Sequence, residues 1–516
     1  MEKGKKGFFS VVFSRSAILI FLLLIQIGIL FLGFELLRDY MFYAYGAVVA
    51  LALVLVIYII NKRENPAFMI AWIIPILVIP VFGALFYLFI ELQIDTKWVN
   101  SRLKRLNIET KELTPQNAEV LENLRLEDEG MAHLSEYLYR VENLPVYQNT
   151  SAKYFPLGED KFAEMIVQLE RAQHFIFMEY FIVERGFMWD TILEILERKV
   201  KEGVEVRFMY DGMCSLVLLP YNYPKKMQEL GIQCRMFSPI KPALSTIQNN
   251  RDHRKILVID GYLAFTGGIN LADEYINQKE RFGHWKDTSI MIQGEAVKSF
   301  TLLFLKMWNV DKRHSEEDYR KYVDVPQLKI PAPGDGFVIP YGDSPVDKEQ
   351  VGELVYLDIL FTAKKYVHIM TPYLILDQEL KVALTYAAKR GVEVIIMMPH
   401  IPDKWYAFVL AKTYYNELLD AGVQIYEYTP GFVHAKVFTS DGEKAVVGTI
   451  NLDFRSMYLH FECAAFLYKN AEIVNIEADF QETLKKCQKI TQEDYKKLNP
   501  VIKLIGMVLR LFAPLM

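Results

Sequence analysis

The strongest constraint on this chain is an internal repeat. Residues 174–182 read His-Phe-Ile-Phe-Met-Glu-Tyr-Phe-Ile, and a helical stretch later Gly203 opens Gly-Val-Glu-Val-Arg-Phe-Met-Tyr-Asp. Residues 367–375 read Val-His-Ile-Met-Thr-Pro-Tyr-Leu-Ile, and a helical stretch later Gly391 opens Gly-Val-Glu-Val-Ile-Ile-Met-Met-Pro. Short apolar runs alternating with helices predict β-α-β units around a buried sheet. The expected fold class is therefore α/β. Two similar lobes, 136–325 and 335–490, each a mixed sheet flanked by helices, are joined by the Pro-rich stretch Pro326–Pro340. A duplicate of this kind carries its site between the lobes, each contributing similar groups.

Each unit then delivers one short constellation. The first is His253-Arg-Lys255, with Asp260 beyond it and then Gly267-Gly268-Ile-Asn270. The second is His434-Ala-Lys436, with Asp441 and then Gly448-Thr449-Ile-Asn451. In an extended strand, residues two apart project to one face, so each histidine and its lysine point together. A neutral imidazole is a competent nucleophile, and a lysine ammonium holds a phosphoryl oxygen as a point charge. Two facing copies surround one phosphorus with a nucleophile, an acid, two lysines and two asparagines, which suits attack on a phosphodiester. The expected catalytic set is His253, Lys255, Asp260, His434, Lys436 and Asp441, with Asn270, Asn451 and Thr449 as phosphate-binding or supporting groups.

A single His-x-Lys would mean little, since a lone half-buried histidine is usually structural. Two at equivalent points of a repeat are hard to obtain by chance. Asp260 and Asp441 stand on weaker ground. Each precedes a glycine, and Asp-Gly between apolar runs is the type I′ hairpin signal, so a structural role stands at least level with a chemical one. Orienting carboxylates are expected as well, because a histidine needs its tautomer fixed through its second nitrogen. Asp287, 34 residues after His253, and Glu462, 28 after His434, sit in apolar surroundings where a bare carboxylate is costly. They are the candidates, with salt bridges to Lys286 or Arg455 as the alternative use. No carboxylate cluster fit for Mg²⁺ or Ca²⁺ stands nearby, so neither metal nor cofactor is expected. Cys214, Cys234, Cys463 and Cys487 lack metal-ligand spacing and read as reduced thiols.

Hydrophobic residues make up 52% of the chain, and most of the excess lies before residue 95. Three uncharged apolar runs stand there, Ala17–Phe34, Met41–Ile60 and Ala67–Ile90, each long enough to cross roughly 30 Å of hydrocarbon. Residues 1–95 are accordingly expected to be a membrane anchor and 96–135 a charged connector. Lys3, Lys5, Lys6 and Arg15 precede the first run, and Lys62 and Arg63 follow the second, which places both groups inside. Pro75 and Pro80 interrupt the third run, and Lys97, Arg102, Lys104 and Arg105 follow it. Those charges predict a re-entrant or hairpin third segment and a cytoplasmic catalytic region. At the other end, 499–516 is a short amphipathic segment, read as an interfacial helix or as one packed on the lobes.

The paired His-x-Lys-x₄-Asp motifs resemble the phospholipase D superfamily over residues 136–490. Asn250-Arg-Asp-His-Arg-Lys255, Gly267-Gly-Ile-Asn-Leu-Ala-Asp273, Trp285-Lys-Asp287, Thr371-Pro-Tyr373 and Gly448-Thr-Ile-Asn-Leu-Asp-Phe-Arg455-Ser456 are similar to bacterial cardiolipin synthases. So is the Asn65-Pro66, Ala71-Trp72 and Gly83 pattern of the anchor. The chain departs from that pattern in its extra front segment, in Asp211-Gly-Met-Cys-Ser215, and in His460, where many branches have Asn. The resemblance implies two phospholipase D-like lobes forming one pseudo-twofold catalytic unit behind transmembrane helices in a bacterial cell membrane. It implies a phosphatidyl transfer between two phosphatidylglycerols through a phosphatidyl-histidine, with His253 as nucleophile, His434 as acid and base, and Thr449 and Ser456 as added hydroxyl donors. Membrane lipid is then the partner. Nucleic acid is disfavoured by the net charge of −5 and by the want of an aromatic–basic strip. Hydrolysis, another acceptor alcohol and a non-catalytic scaffold are the rival readings, and the oligomeric state is left open.

Overall fold

The computed structural model describes residues 24, 25, 28, 41–62, 64–91, 94–238, 249–310, 318–329, 332, 334–347 and 349–516. One compact unit takes the described residues up to Lys97; the other takes Trp98–Pro239 and Asn249–Arg510.

In the first unit, helix Met41–Ile60 is followed by Pro66–Val78 and Pro80–Glu91. Asn65 caps the second helix by accepting the Ala67 N–H, and Pro66 sits in the first turn, where its missing N–H costs nothing. Pro75 lies inside the second helix and does not end it. The break falls at Ile79, which Pro80 forces out of the helical region. There the chain reverses. Trp72 meets Phe86 and Tyr87 at ring separations of 5.6 and 5.4 Å, and a Cβ on Gly83 would stand 2.5 Å from the Pro75 carbonyl oxygen. Residues 66–91 thus form a tight helical hairpin. Its far end returns to its start, where Lys62 binds Glu91 at 2.7 Å. Among the described residues no helix is long and apolar enough to cross a membrane. The expected run Ala17–Phe34 lies almost wholly outside the described residues.

The second unit holds the repeat. Its first half runs β1 (Thr150–Phe155), β2 (Phe175–Tyr180), β3 (Glu205–Asp211), β4 (Gln233–Phe237), β5 (Arg251–Asp252), β6 (Ile256–Ile259), β7 (Leu263–Gly267), β8 (His284–Lys286) and β9 (Ser289–Gly294). The second half runs β10 (Phe337–Asp343), β11 (Tyr366–Met370), β12 (Glu393–Pro399), β13 (Gln424–Tyr428), β14 (Gly431–Val433), β15 (Val437–Ser440), β16 (Lys444–Gly448), β17 (His460–Tyr468) and β18 (Cys487–Ile490). The sheet orders match strand for strand, β1-β9-β7-β6-β2-β3-β4 against β10-β17-β16-β15-β11-β12-β13, with β18 added at one edge. Central strands such as β2 are buried at every position, which is why they read as apolar runs, β2 broken only by Glu179, which pairs with Arg254. The glycines of the repeated Gly-Val-Glu-Val, Gly203 and Gly391, hold φ of 92° and 95°, a left-handed stop that turns each helix into the next strand.

Two short strands leave their own sheets. β5 pairs in parallel with β17, and β14 pairs in parallel with β8. Each half therefore lends a strand to the other at the seam.

Candidate active site at the seam between the lobes

The exchanged strands deliver the motifs. His253-Arg-Lys255 and His434-Ala-Lys436 lie in the links after β5 and β14, rather than within a regular strand as the sequence suggested. The His253 N–H donates to the Phe461 carbonyl at 3.0 Å, and the His434 N–H donates to the Lys286 carbonyl at 2.7 Å. Each histidine is thus pinned by its backbone to the residue that precedes the other lobe's candidate carboxylate.

The side chains follow. His253 Nδ1 lies 2.9 and 3.0 Å from the two Glu462 oxygens, and His434 Nδ1 lies 2.6 Å from Asp287 Oδ2. The orienters are therefore exchanged, Glu462 of the second half serving the first histidine and Asp287 of the first half serving the second. Their alternative partners are engaged elsewhere: Lys286 binds Asp479 at 2.7 Å, and Arg455 donates to the Leu515 carbonyl. Glu462 also accepts the Ser456 hydroxyl at 2.8 Å and the Thr449 hydroxyl. Asp287 instead accepts the Thr288 N–H at 2.8 Å, and a side chain at Gly268, the counterpart of Thr449, would collide with its carboxylate. Both histidines, both lysines and both carboxylates are buried, with aromatic walls of Phe181 beside His253 and of Tyr275, Trp285 and Phe432 around His434. Lys255 and Lys436 each donate to the carbonyl of their own histidine. Lys436 Nζ also lies 2.9 Å from His434 Nδ1, a contact without a hydrogen bond once that nitrogen's proton points to Asp287.

Burial sets the protonation states. It holds His253 well below the ordinary histidine range and His434 down to about 4, in each case against the pull of the paired carboxylate. It lowers Lys255 to about 7 and Lys436 to about 8, against the attraction of Glu462 and Asp287, and Lys436 pushes Lys255 down further. For Glu462 burial acts upward, but His253, by attraction and hydrogen bond, and His460 outweigh it and keep the carboxylate ionised. The resting site thus holds neutral imidazoles with Nδ1–H turned to carboxylate and Nε2 open, beside two lysines that an entering anion would fully charge.

Five other expected residues have structural partners. Asp260 accepts the N–H groups of Gln173, His174 and Phe175 at 2.7 to 2.8 Å, and Asp441 those of Lys364, Lys365 and Tyr366 at 2.7 to 3.0 Å. Their φ values are 52° and 57°, followed by Gly261 at 65° and Gly442 at 73°, the left-handed pair of a type I′ turn. These aspartates fasten a hairpin to the start of β2 or β11, which favours the structural of their two expected roles. Asn270 accepts from Ile182 N–H at 3.0 Å and donates to Tyr275 OH at 2.8 Å, so its amide serves the scaffold. Thr449 is engaged with Glu462 and Cys463, so it and Ser456 steady the orienter rather than a phosphate. Asn451 differs: 4% exposed, it makes no side-chain hydrogen bond among the described residues and keeps its phosphate-binding reading. Against the expectation of no metal-ligand set, His253, His460 and Glu462 bring three donor atoms within 4.8 Å of one another. Tyr275 and the donor geometry of His460 carried no spacing signal in the sequence.

The family model described as "Cardiolipin synthase, PLD-like domain" matches residues 165–308 and 356–484, and that of the phospholipase D-nuclease N-terminal region matches residues 50–91. An uncharacterized protein of Streptococcus mutans is 51% identical over 89% of this chain and 99% of its own length. A cardiolipin synthase of Halalkalibacterium halodurans is 32% identical over 98% of this chain and 100% of its own. Among solved structures, a phosphatidylserine synthase of Haemophilus influenzae is similar in fold, with a TM-score of 0.55 at 14% identity, covering 75% of this chain and 97% of that one. Coverage of both halves of the repeat and near-complete length together place this chain in the cardiolipin synthase family of the phospholipase D superfamily.

Proposed function

We propose that the protein transfers a phosphatidyl group from one phosphatidylglycerol to another, giving cardiolipin and glycerol. The observation that carries the reading is the exchanged pair of His–carboxylate contacts, which leaves one Nε2 of each half open at the seam. An entering phosphodiester anion charges Lys255 and Lys436 and favours a proton on His434. His253 Nε2 then attacks phosphorus as the bond to glycerol breaks, and His434 gives its proton to the leaving alkoxide. Glu462 balances the positive charge that develops on the His253 ring. In the second half-reaction the neutral His434 takes the proton from a hydroxyl of the second phosphatidylglycerol. That oxygen attacks phosphorus, the P–N bond breaks and His253 is regenerated. Lys255, Lys436 and Asn451 hold the non-bridging oxygens throughout, and burial keeps water from the intermediate.

The N-terminal apolar runs anchor the chain in the bacterial membrane. The hairpin 66–91 is read as re-entrant, its two ends joined by Lys62 and Glu91, and the basic residues on either side of it favour a cytoplasmic catalytic region. Helix Pro500–Arg510 packs through Gly506 on helix Trp405–Asp420 while Val501, Leu504, Met507 and Val508 stay exposed for the headgroup layer. Purified protein incubated with phosphatidylglycerol vesicles should yield cardiolipin and glycerol by mass spectrometry. Phosphatidic acid with glycerol would make it a hydrolase instead, and unchanged lipid would end the proposal.

A further inference from the structure

We infer that His253, His460 and Glu462 form a binding site for a zinc-like divalent ion, and that the bound ion switches the transferase off. The inference rests on the reading of His253 as nucleophile for its consequence, but the site itself stands on other observations.

His460 is the residue that needs explaining. It opens β17, is 8% exposed, and both of its ring nitrogens are shut from solvent without a hydrogen-bond partner. A buried imidazole left so forfeits about 1–3 kcal/mol for each unsatisfied group. Its Nδ1 stands 3.7 Å from Glu462 Oε1, beyond hydrogen-bond reach, and its ring centre lies 5.3 Å from that of His253.

The strand exchange builds this cluster. His460 and Glu462 are two apart on β17 and share a face. The backbone bond from His253 N–H to the Phe461 carbonyl then sets His253 against that face. A tetrahedral zinc with bonds near 2.0–2.1 Å wants its donors about 3.3 Å apart. Two of the three separations, 2.9 Å from His253 Nδ1 to Glu462 Oε1 and 3.7 Å from His460 Nδ1 to the same oxygen, bracket that value, and all three donors lie within 4.8 Å of one another. Two imidazoles and one carboxylate suit zinc and its neighbours better than the oxygen-seeking Mg²⁺ or Ca²⁺. In the other half, the residue two before Asp287 is Trp285, so the counterpart position offers no imidazole.

Occupancy has a defined chemical effect. The ion takes the lone pair of His253 Nδ1, and the ring proton moves from Nδ1 to Nε2. Glu462 turns from hydrogen-bond acceptor to ligand. Nε2 then carries a hydrogen in place of the lone pair that attacks phosphorus, and transfer stops. Lys255 beside Glu462 opposes a second cation, which keeps binding reversible.

The test uses the full chain in detergent micelles, with Co²⁺ as the spectroscopic probe and Zn²⁺ as the competing ion. Wild type should develop the visible bands of tetrahedral cobalt and lose them to Zn²⁺. Transfer from phosphatidylglycerol should fall with Zn²⁺ and return with a chelator. In His460→Asn, Co²⁺ affinity should drop by at least the roughly 10–100-fold that losing even an outer-shell partner costs, and the transfer this variant retains, measured against its own metal-free rate, should resist Zn²⁺. His460→Gln serves if the Asn variant melts early. Tetrahedral bands absent from wild type, or unchanged in both variants, would overturn the inference. Cobalt bands of the expected behaviour in a protein that makes no cardiolipin would sink the proposed function and leave the site standing.

Discussion

Replacing Glu462 by Gln removes one negative charge while keeping the side chain's length and most of its hydrogen bonds. The carboxylate faces His253 Nδ1 at 2.9 Å and is fully buried, so it balances the positive charge the ring acquires when Nε2 bonds to phosphorus. At an effective dielectric of about 20, a full charge at that distance is worth about 6 kcal/mol, and half a charge about 3. Each 1.36 kcal/mol is about tenfold in rate, so kcat should fall by a factor between about 10² and 10⁴. KM for phosphatidylglycerol should move little, since Lys255, Lys436 and Asn451 are untouched. The Thr449 and Ser456 hydroxyls can rotate to suit an amide, so the fold should survive with a loss on the order of 1–3 kcal/mol. The assay is cardiolipin formation from vesicles, with a thermal melt alongside. A variant within about fivefold of wild-type kcat and melting normally would refute the exchanged-orienter reasoning.

Asp287→Asn acts on His434 instead, the acid of the first half-reaction and the base of the second, so both should slow and kcat for cardiolipin formation should fall by at least about tenfold; a folded variant within about twofold of wild type would contradict the part given to His434. Asp441→Ala removes the acceptor of three backbone N–H groups at a positive φ. Stability should drop by about 2–4 kcal/mol while turnover per folded molecule stays within about threefold; a hundredfold loss without destabilisation would restore a chemical role. Lys255, lowered to about 7, and Lys436, lowered to about 8, lose their charges as pH rises through those values, so kcat/KM should decline above about pH 7 and more steeply above about pH 8. Lys436→Arg should remove the steeper part above about pH 8, because its guanidinium stays charged, and leave the Lys255 part. A wild-type profile level to about pH 9.5 would contradict the lysines' part in holding phosphate.

The repeat was legible because both halves spend the same residue types at the same spacing, and buried strands such as β2 and β12 must be apolar on both faces. The helix break within 66–91 was legible from Pro80, which forces Ile79 out of the helical region. The exchange of carboxylates was not legible, and the reason is physical. It depends on β5, β8 and β14, strands of two or three residues whose partners lie in the other half, and so short a strand has no alternation to read. Spacing likewise cannot say which way an amide faces, which is why Asn270 and Asn451 looked equal while Tyr275 claims only the first. The exchange also explains why the motifs occur as a pair. A single lobe would contain a histidine whose orienting carboxylate belongs to the missing half, and a buried carboxylate with no imidazole to hold. Neither half can present an oriented Nε2 by itself, so loss of one motif's carboxylate should disable the chemistry of the other motif's histidine.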